Sequence, residues 1–174
     1  QILLKNIAFS LQLESNFFLR RNDNPLTRAS FVYYPPRPMT VAPDPATARY
    51  GVGPHTDFGV MSILCQDHIG GLQMQNPQGH WLDAPPIDGT LVVNIGDLLQ
   101  RWTSGEFRSA PHRVLSPDVT DRLSLVLAFD PNPESVVDAG EIFSEQRAAT
   151  EPITCGDYLD WRFDQAFHYR TADA

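Results

Sequence analysis

The stretch that decides the fold is Arg122-Leu123-Ser124-Leu125-Val126-Leu127-Ala128-Phe129. Successive side chains of a strand point to opposite faces, so the leucines and the phenylalanine share one face, while Arg122 and Ser124 begin the other. If that second face met solvent, Arg122 would be an ordinary surface residue. If it lined a barrel, the buried guanidinium would need an anion. A carboxylate fits, because guanidinium binds it bidentately and the serine hydroxyl adds a hydrogen bond.

Other short β-type runs alternate with turns rich in Gly, Pro and Asn. These runs cover residues 30–34, 60–66, 72–75, 80–82 and 91–95. Short strands separated by turn signals are typical of an antiparallel sandwich or barrel. The sequence therefore predicts a mainly β fold.

Helical patterns flank the β-type runs. Apolar residues recur near helical spacing from Ile2 to about Arg20, and a second stripe covers residues 156–167. Thr154 or Asp157 is the expected N-cap of the second helix. We predict a β core with one helix before it and one after it.

Length and charge limit the class of protein. A chain of 174 residues buries one sizeable core, and we divide this single domain into a lead-in helix (1–24), a β core (25–150) and a C-terminal helix (151–174). Because Gln1 lies inside the first helical pattern, we expect an upstream region to be missing. The net charge of -8 disfavours a nucleic-acid partner. No run approaches the roughly 20 apolar residues of a membrane helix, so we expect a cytoplasmic protein.

An imidazole and a carboxylate lie two residues apart in His55-Thr56-Asp57. In extended backbone both turn to one side, so they can share a metal. His112 supplies a third ligand at what reads as the start of another strand. Two imidazoles and one carboxylate on one face leave three positions open, as in non-haem Fe(II) oxygenases. A catalytic zinc ion with the same ligands stays open, whereas a structural zinc site would fill all its positions with protein ligands.

Together these residues resemble the isopenicillin N synthase-like family of Fe(II)- and 2-oxoglutarate-dependent dioxygenases. The motifs that carry the resemblance follow one another along most of the chain: Tyr33-Tyr34-Pro35-Pro36, His55-Thr56-Asp57-Phe58-Gly59, Gly70-Gly71-Leu72-Gln73, Asn94-Ile95-Gly96-Asp97, Pro111-His112-Arg113-Val114 and Arg122-Leu123-Ser124. The family implies a distorted double-stranded β-helix, or jelly-roll, with the metal inside one mouth of the barrel.

The resemblance also implies roles for individual residues. It implies an iron site formed by His55, Asp57 and His112. Arg122 and Ser124 match the pair that binds the distal carboxylate of 2-oxoglutarate. Tyr34 matches a tyrosine that often helps to hold this cosubstrate, and Tyr33 should face the other way. The implied reaction uses O2 and converts 2-oxoglutarate to succinate and CO2. It couples this step to hydroxylation, desaturation or cyclisation of a small organic substrate.

Several further residues receive weaker interpretations. Ala128 and Asp130 continue the face of Arg122 and are expected to line the substrate pocket, although Asp130 can instead organise the turn that follows it. Asp97 is interpreted as a helix cap, Asn94 as structural and Arg113 as support for its neighbour, the metal ligand. We expect surface or otherwise satisfied side chains for the remaining histidines, His68, His80 and His168. Cys65, in an apolar run, is expected to be a buried, reduced thiol.

Two alternatives remain at this point. In the first, an Fe(II) oxidase of the same fold uses O2 without 2-oxoglutarate, and Arg122 and Ser124 hold a carboxylate of the substrate. In the second, a non-catalytic jelly-roll binds a metal or a small acid. We assign no oligomeric state from the sequence.

Overall fold

Two four-stranded antiparallel sheets enclose the interior of the molecule. The computed structural model describes residues 1–36, 50–144 and 150–167. The first sheet has the strand order β1 (Leu26–Tyr34), β8 (Arg122–Asp130), β3 (Met61–Gln66), β6 (Val92–Ile95). The second sheet has the order β2 (Tyr50–His55), β7 (His112–Leu115), β4 (Leu72–Gln75), β5 (Trp81–Asp83). This order is that of an eight-stranded jelly-roll, so the predicted fold class is confirmed.

Helices pack at one end of the barrel. The described residues include α1 (Ile2–Ser10), α2 (Asp97–Trp102) and α3 (Cys155–Ala166), together with the short hairpin of β9 (Val136–Val137) and β10 (Ile153–Thr154). The main hydrophobic core lies between these elements and includes Leu4, Ile7, Phe18, Leu98, Trp102 and Leu159. A second, small cluster inside the barrel contains four buried residues, Tyr34, Leu64, Leu72 and Val114. Packing therefore fills the helical end, while the barrel interior keeps room for a cavity.

The predicted strands are present with shifted ends, but β2, β9 and β10 were not predicted. β1 begins at Leu26 rather than at residue 30. β2 was not predicted, because its sequence Tyr50-Gly-Val-Gly-Pro-His is typical of a loop. Pairing with β7 holds it in the sheet, and its irregular register accommodates the glycines and the proline.

The predicted lead-in helix is wrong in length, because α1 ends at Ser10. Gln12 adopts the left-handed conformation, with φ of 59°. Its N–H donates to the carbonyl of Phe9 at 3.0 Å, and the N–H of Leu13 donates to the carbonyl of Ala8 at 2.9 Å. These two bonds form a Schellman motif, which normally ends on glycine. The recurrence of apolar residues extends beyond Gln12 because Phe17 and Phe18, which lie in a separate turn, pack into the same core.

The C-terminal helix agrees with the prediction. α3 begins after Thr154, whose hydroxyl oxygen accepts a hydrogen bond from the N–H of Asp157 at 3.1 Å. Thr154 is therefore the N-cap, and Asp157 lies in the first turn, where its charge is favourable. No helix in the described part of the chain is both long enough and apolar enough to cross a membrane.

The two faces of β8 have opposite environments. Arg122 and Ser124 are buried inside the barrel, whereas Leu123 is 55% exposed on the outside. The face of β8 that carries Arg122 and Ser124 therefore lines the barrel, and the apolar face of β8 is the outer one. Cys65, expected to be buried, is exposed on the same outer face, because it pairs with Leu125.

Candidate active site

The three predicted metal ligands converge at one mouth of the barrel. His55 ends β2 and His112 begins β7, and the two residues are paired across the sheet. Their ring centroids lie 4.2 Å apart, and Nε2 of His112 lies 3.7 Å from Oδ1 of Asp57. One ligand atom from each of the three residues falls within 4.8 Å of the others. Two imidazoles and a carboxylate can therefore reach one ion from a single side.

The backbone holds both imidazoles in a metal-binding orientation. Nδ1 of His55 lies 2.8 Å from the carbonyl oxygen of Gly53, and Nδ1 of His112 lies 3.2 Å from that of Ala110. A carbonyl only accepts, so Nδ1 carries the hydrogen and Nε2 keeps its lone pair for a metal. Burial lowers the pKa of His112 below its usual value, the charge of Asp57 partly opposes this, and His55 adds to the lowering. The neutral form, which binds metals, is thereby favoured.

Two polar residues orient the carboxylate of Asp57. Its Oδ2 accepts hydrogen bonds from the hydroxyl of Ser62 and from the amide of Asn94, the latter at 3.4 Å. Ser62 and Asn94 are buried and face each other across β3 and β6. With Oδ2 engaged, Oδ1 is left to face His112 and a metal. Asn94, interpreted from the sequence as structural, therefore has a direct role in placing a metal ligand.

The start of α2 fixes the loop that carries Asp57. The N–H of Asp97 donates to the carbonyl of Asp57 at 2.8 Å. Gly59 and Gly96 pass so closely that a Cβ on Gly96 would lie 2.1 Å from the carbonyl oxygen of Gly59. Asp97 is not the cap that was predicted, because Gly96 precedes the helix. Its carboxylate instead accepts from the hydroxyl of Thr56 at 2.9 Å and pairs with Arg162 of α3.

Arg122 is a buried cation without an anionic partner among the described residues. It is 1% exposed, its Nε donates to the carbonyl of Gly70 at 2.6 Å, and Nη1 lies 3.5 Å from the hydroxyl of Ser124. Its Nη2 has no hydrogen-bond partner in the described part of the chain. A guanidinium buried in this way requires an external anion.

Tyr34 lies beneath the same guanidinium. Its ring centroid is 4.6 Å from Cζ of Arg122, in the geometry of a cation–π contact. Gly51 makes this possible, since a Cβ there would lie 2.5 Å from the ring. Tyr33 faces outward, as predicted, and donates to Asp121 at 2.9 Å. Tyr34 therefore forms one wall of the cavity in front of Arg122.

Two cavities meet at the metal ligands. The first, of about 240 Å³, runs from the triad to Arg122, Ser124 and Tyr34. The second, of about 190 Å³, opens on the other side of the triad toward Arg28, Phe58 and Ala128. His55, Asp57, Ser62 and Val126 line both. A metal held by the triad would stand at the junction, with a separate chamber on each side.

The residues with weaker interpretations fall in different places. Ala128 lines the second cavity. Asp130 does not line it, because the side chain is completely buried and its Oδ1 accepts from the N–H of Val60 at 2.7 Å. Its hydrogen bond fixes the segment that follows Asp57, whereas the alternative interpretation placed its role in the turn after Asp130. Burial raises its pKa to about 6.

Arg113, His68 and His80 do not belong to the group of three metal ligands. Arg113 does not support His112, since alternation along β7 turns it outward, where it stacks over Trp81 at 4.1 Å and donates to Gln73 at 2.7 Å. His68 and His80 are exposed, and His168 lies outside the described residues.

Sequence reasoning missed three residues around the triad: Arg28, Phe58 and Ser62. Ser62 was detectable in principle, because it is a hydroxyl residue within the apolar run of residues 60–65. Arg28 and Phe58 carry no such signal, since their positions depend on strand register and on the packing of α3.

Comparisons of sequence and structure agree on one family. The profile of the 2OG-Fe(II) oxygenase superfamily matches residues 24–131. The chain is 43% identical over 141 residues to a probable iron/ascorbate oxidoreductase of Dictyostelium discoideum, covering 75% of this chain and 39% of that protein. It is 34% identical over 173 residues to a 2-oxoglutarate-Fe(II) type oxidoreductase of Emericella nidulans, covering 95% of this chain and 47% of that protein. The chain belongs to the 2OG-Fe(II) oxygenase superfamily.

A solved structure has the same architecture. The crystal structure of a full-length Neurospora crassa protein in complex with alpha-KG and thymine matches with a TM-score of 0.84 and 31% identity, covering 95% of this chain and 52% of that one. The resemblance drawn from the sequence is thus confirmed. The chain spans about half the length, or less, of these relatives.

The residues fit both groups that give the 2OG-Fe(II) oxygenases their name. Two imidazoles whose Nδ1 atoms are bonded to backbone carbonyls, leaving Nε2 for a metal, and an oriented carboxylate suit Fe(II). The unpaired Nη2 of Arg122, beside the hydroxyl of Ser124, suits the distal carboxylate of 2-oxoglutarate. Both sites line one cavity, so one small dicarboxylate could reach both.

Proposed function

We propose that the protein is an oxygenase that couples the oxidative decarboxylation of 2-oxoglutarate, with O2, to the oxidation of a small organic substrate. One observation carries the proposal. A single cavity joins an open three-ligand metal face to a buried guanidinium that has no anion within the described ranges. A protein that only stored a metal would need neither the open positions nor the unpaired cation.

The side chains of the first cavity divide the work of holding the cosubstrate. Bound Fe(II) would chelate the 2-oxo acid end and activate O2. Arg122 and Ser124 bind the distal carboxylate, and Tyr34 keeps the guanidinium in place. Asp57 offsets part of the positive charge of the metal. The apolar walls include Leu64, Leu72, Val114 and Val126, and they limit the access of water.

The second cavity is where the prime substrate binds. It touches the triad from the side opposite Arg122, so a C–H bond placed there faces the metal. Hydroxylation, desaturation and cyclisation all begin at such a bond, and the substrate geometry selects among them. The substrate is oxidised on this side of the metal, whereas succinate and CO2, the products of 2-oxoglutarate, are released from the first cavity.

Anaerobic titration with Fe(II), in the presence and absence of 2-oxoglutarate, tests the proposal. We expect the weak visible absorption of an iron-bound 2-oxo acid. Asp57→Ala should abolish iron binding, whereas the control His80→Ala, at an exposed histidine, should leave it intact. Arg122→Leu should keep iron but weaken 2-oxoglutarate binding roughly 10- to 100-fold, the loss expected for a charge-assisted contact.

The same titration separates the alternatives. Iron binding without the absorption band, together with substrate oxidation that releases no succinate, would favour the Fe(II) oxidase that does not use 2-oxoglutarate. Absence of iron binding would contradict the proposal and favour a non-catalytic jelly-roll. The cytoplasmic location, the single-domain division and the absence of a nucleic-acid partner stay predictions from the sequence.

A further inference from the structure

The second cavity contains a cation of its own. Arg28 lies on the inner face of β1, opposite Ala128 of β8, and lines this cavity. Its side chain is 49% exposed. Its guanidinium is 4.8 Å from the ring centroid of Phe163, a residue of α3. The cation is therefore supported by packing yet open toward the cavity.

The local acid leaves Arg28 available for a ligand. Asp130 approaches it only to 3.8 Å, which is an ion-pair distance and too long for a hydrogen bond. The other carboxylate oxygen of Asp130 already accepts from the N–H of Val60. Within residues 1–36, 50–144 and 150–167 the guanidinium of Arg28 makes no hydrogen bond. Its donors can therefore turn to a molecule in the cavity.

The two arginines lie on opposite sides of the triad. Arg122 is paired with Tyr34, and Arg28 with Ala128, along the same β1–β8 ladder. Six residues separate the two rungs, which is about 20 Å along a strand. His55 and Asp57 line both cavities between these ends. Arg122 thus lines the first cavity, where 2-oxoglutarate is proposed to bind, and Arg28 lines the second cavity, where the substrate is proposed to bind.

We propose that Arg28 determines specificity by binding a carboxylate of the prime substrate. The remainder of the ligand would pack on Phe58, Met61 and Ala128, an apolar wall that places its carbon skeleton beside the triad. The substrate class is thus a small carboxylic acid with an apolar body. This inference rests on the proposed function, because it assumes that 2-oxoglutarate fills the first cavity.

Ligand-observed NMR tests the inference without measuring turnover. The protein is loaded with Zn(II) in place of iron and with saturating 2-oxoglutarate, so that Arg122 is occupied. The probes are two acids, hexanoate and 3-phenylpropionate, and their primary amides. We expect the wild type to prefer at least one acid over its amide by about 10-fold or more, the gain of a charge-assisted contact. Arg28→Gln should remove this preference while leaving the affinity for the amide unchanged.

Matched variants keep the outcome interpretable. Arg20→Gln makes the same change of net charge at an exposed residue that does not line the second cavity, and should retain the preference. Arg28→Lys keeps the charge opposite Asp130 and should retain part of it. No preference for the acid in the wild type, or an unchanged preference in Arg28→Gln, would overturn this inference but not the proposed function. Failure of 2-oxoglutarate to bind would overturn the proposed function as well, and its affinity is measured in the same samples.

Discussion

Asp57 uses its two carboxylate oxygens for different purposes. Oδ1 faces His112, at 3.7 Å from Nε2, and Oδ2 accepts from Ser62 and Asn94. A carboxylate held in this way has lost its rotational freedom before any metal binds. The metal therefore meets a ligand that is already oriented, which raises affinity by reducing the entropy lost on binding.

Replacing Ser62 should weaken this orientation. We expect Ser62→Ala to lower Fe(II) affinity by roughly 10-fold, the lower end of the range for partners of metal ligands. Competition with a chromogenic chelator under anaerobic conditions measures the change. Ser30→Ala removes a hydroxyl from the same cavity at a residue not bonded to Asp57 among the described contacts, and should have no effect. Equal affinities in Ser62→Ala and the wild type would contradict the orienting role.

The buried carboxyl of Asp130 should make stability depend on pH. Its pKa is about 6 when folded, against 3.8 for the unfolded reference, so the folded protein binds more protons between these values. Raising the pH from 4 to 6 should therefore lower the free energy of unfolding by about 2 kcal/mol, and the decrease should level off near pH 7 at a total of at most about 3 kcal/mol.

Urea unfolding of the wild type and of Asp130→Asn across this pH range measures the effect. The asparagine keeps an acceptor for the N–H of Val60 but does not titrate. The stability of the wild type relative to the variant should decrease as the pH rises from 4 to 6. A difference that is constant with pH would show that Asp130 does not titrate in this range.

At the scale of single elements, α1 ends on an unfavourable residue. Gln12 occupies the left-handed position of a Schellman motif, where glycine has no steric cost. Gln12→Gly should raise the free energy of unfolding by about 1 kcal/mol, as measured by urea denaturation. Gln12→Ala, which keeps a Cβ at this position, should give no comparable gain. Equal stabilities of the Gly and Ala variants would contradict this account of the helix end.

The sequence predicted best those elements whose side chains alternate regularly between a buried and an exposed face. β8 was predicted with its inner and outer faces because alternation of side chains is intrinsic to a strand. β2 was missed because Gly51, Gly53 and Pro54 disfavour a strand, and only pairing with β7 imposes one. The end of α1 was missed because glutamine gives no stop signal.

The same distinction applies to the site. The triad and Arg122 were predictable, because their residue types and order carry chemistry and match a known family. Ser62, Asn94 and Arg28 act through cross-strand register, which a sequence without fixed strand pairs does not specify. Their roles became clear only from the strand pairing in the structure, which shows the residues that lie opposite one another.

At the scale of the whole molecule, the sheet of β1, β8, β3 and β6 has an apolar outer face. Phe31 is 87% exposed, and its partner across the β1–β8 pair, Leu125, is also exposed. Leu123 and Val93 extend this surface on β8 and β6. Contiguous exposed apolar patches of this kind bind apolar molecules.

A hydrophobic dye should report this outer face. We expect the folded protein to enhance the fluorescence of anilinonaphthalene sulfonate, and Phe31→Ser combined with Leu125→Ser to reduce the enhancement by about half. The affinity for 2-oxoglutarate should be unchanged, because both side chains point away from the barrel interior. Dye fluorescence that is unaffected by the double substitution would place the dye site elsewhere.

The unpaired Nη2 of Arg122 should make the stability of the fold depend on a bound anion. A buried charge without a partner costs folding free energy, and a ligand that binds only the folded state returns stability in proportion to the logarithm of its concentration. The melting temperature should therefore rise with the 2-oxoglutarate concentration, even where no substrate is present and no turnover occurs. For the same reason, resistance to an added protease should increase with the concentration of 2-oxoglutarate.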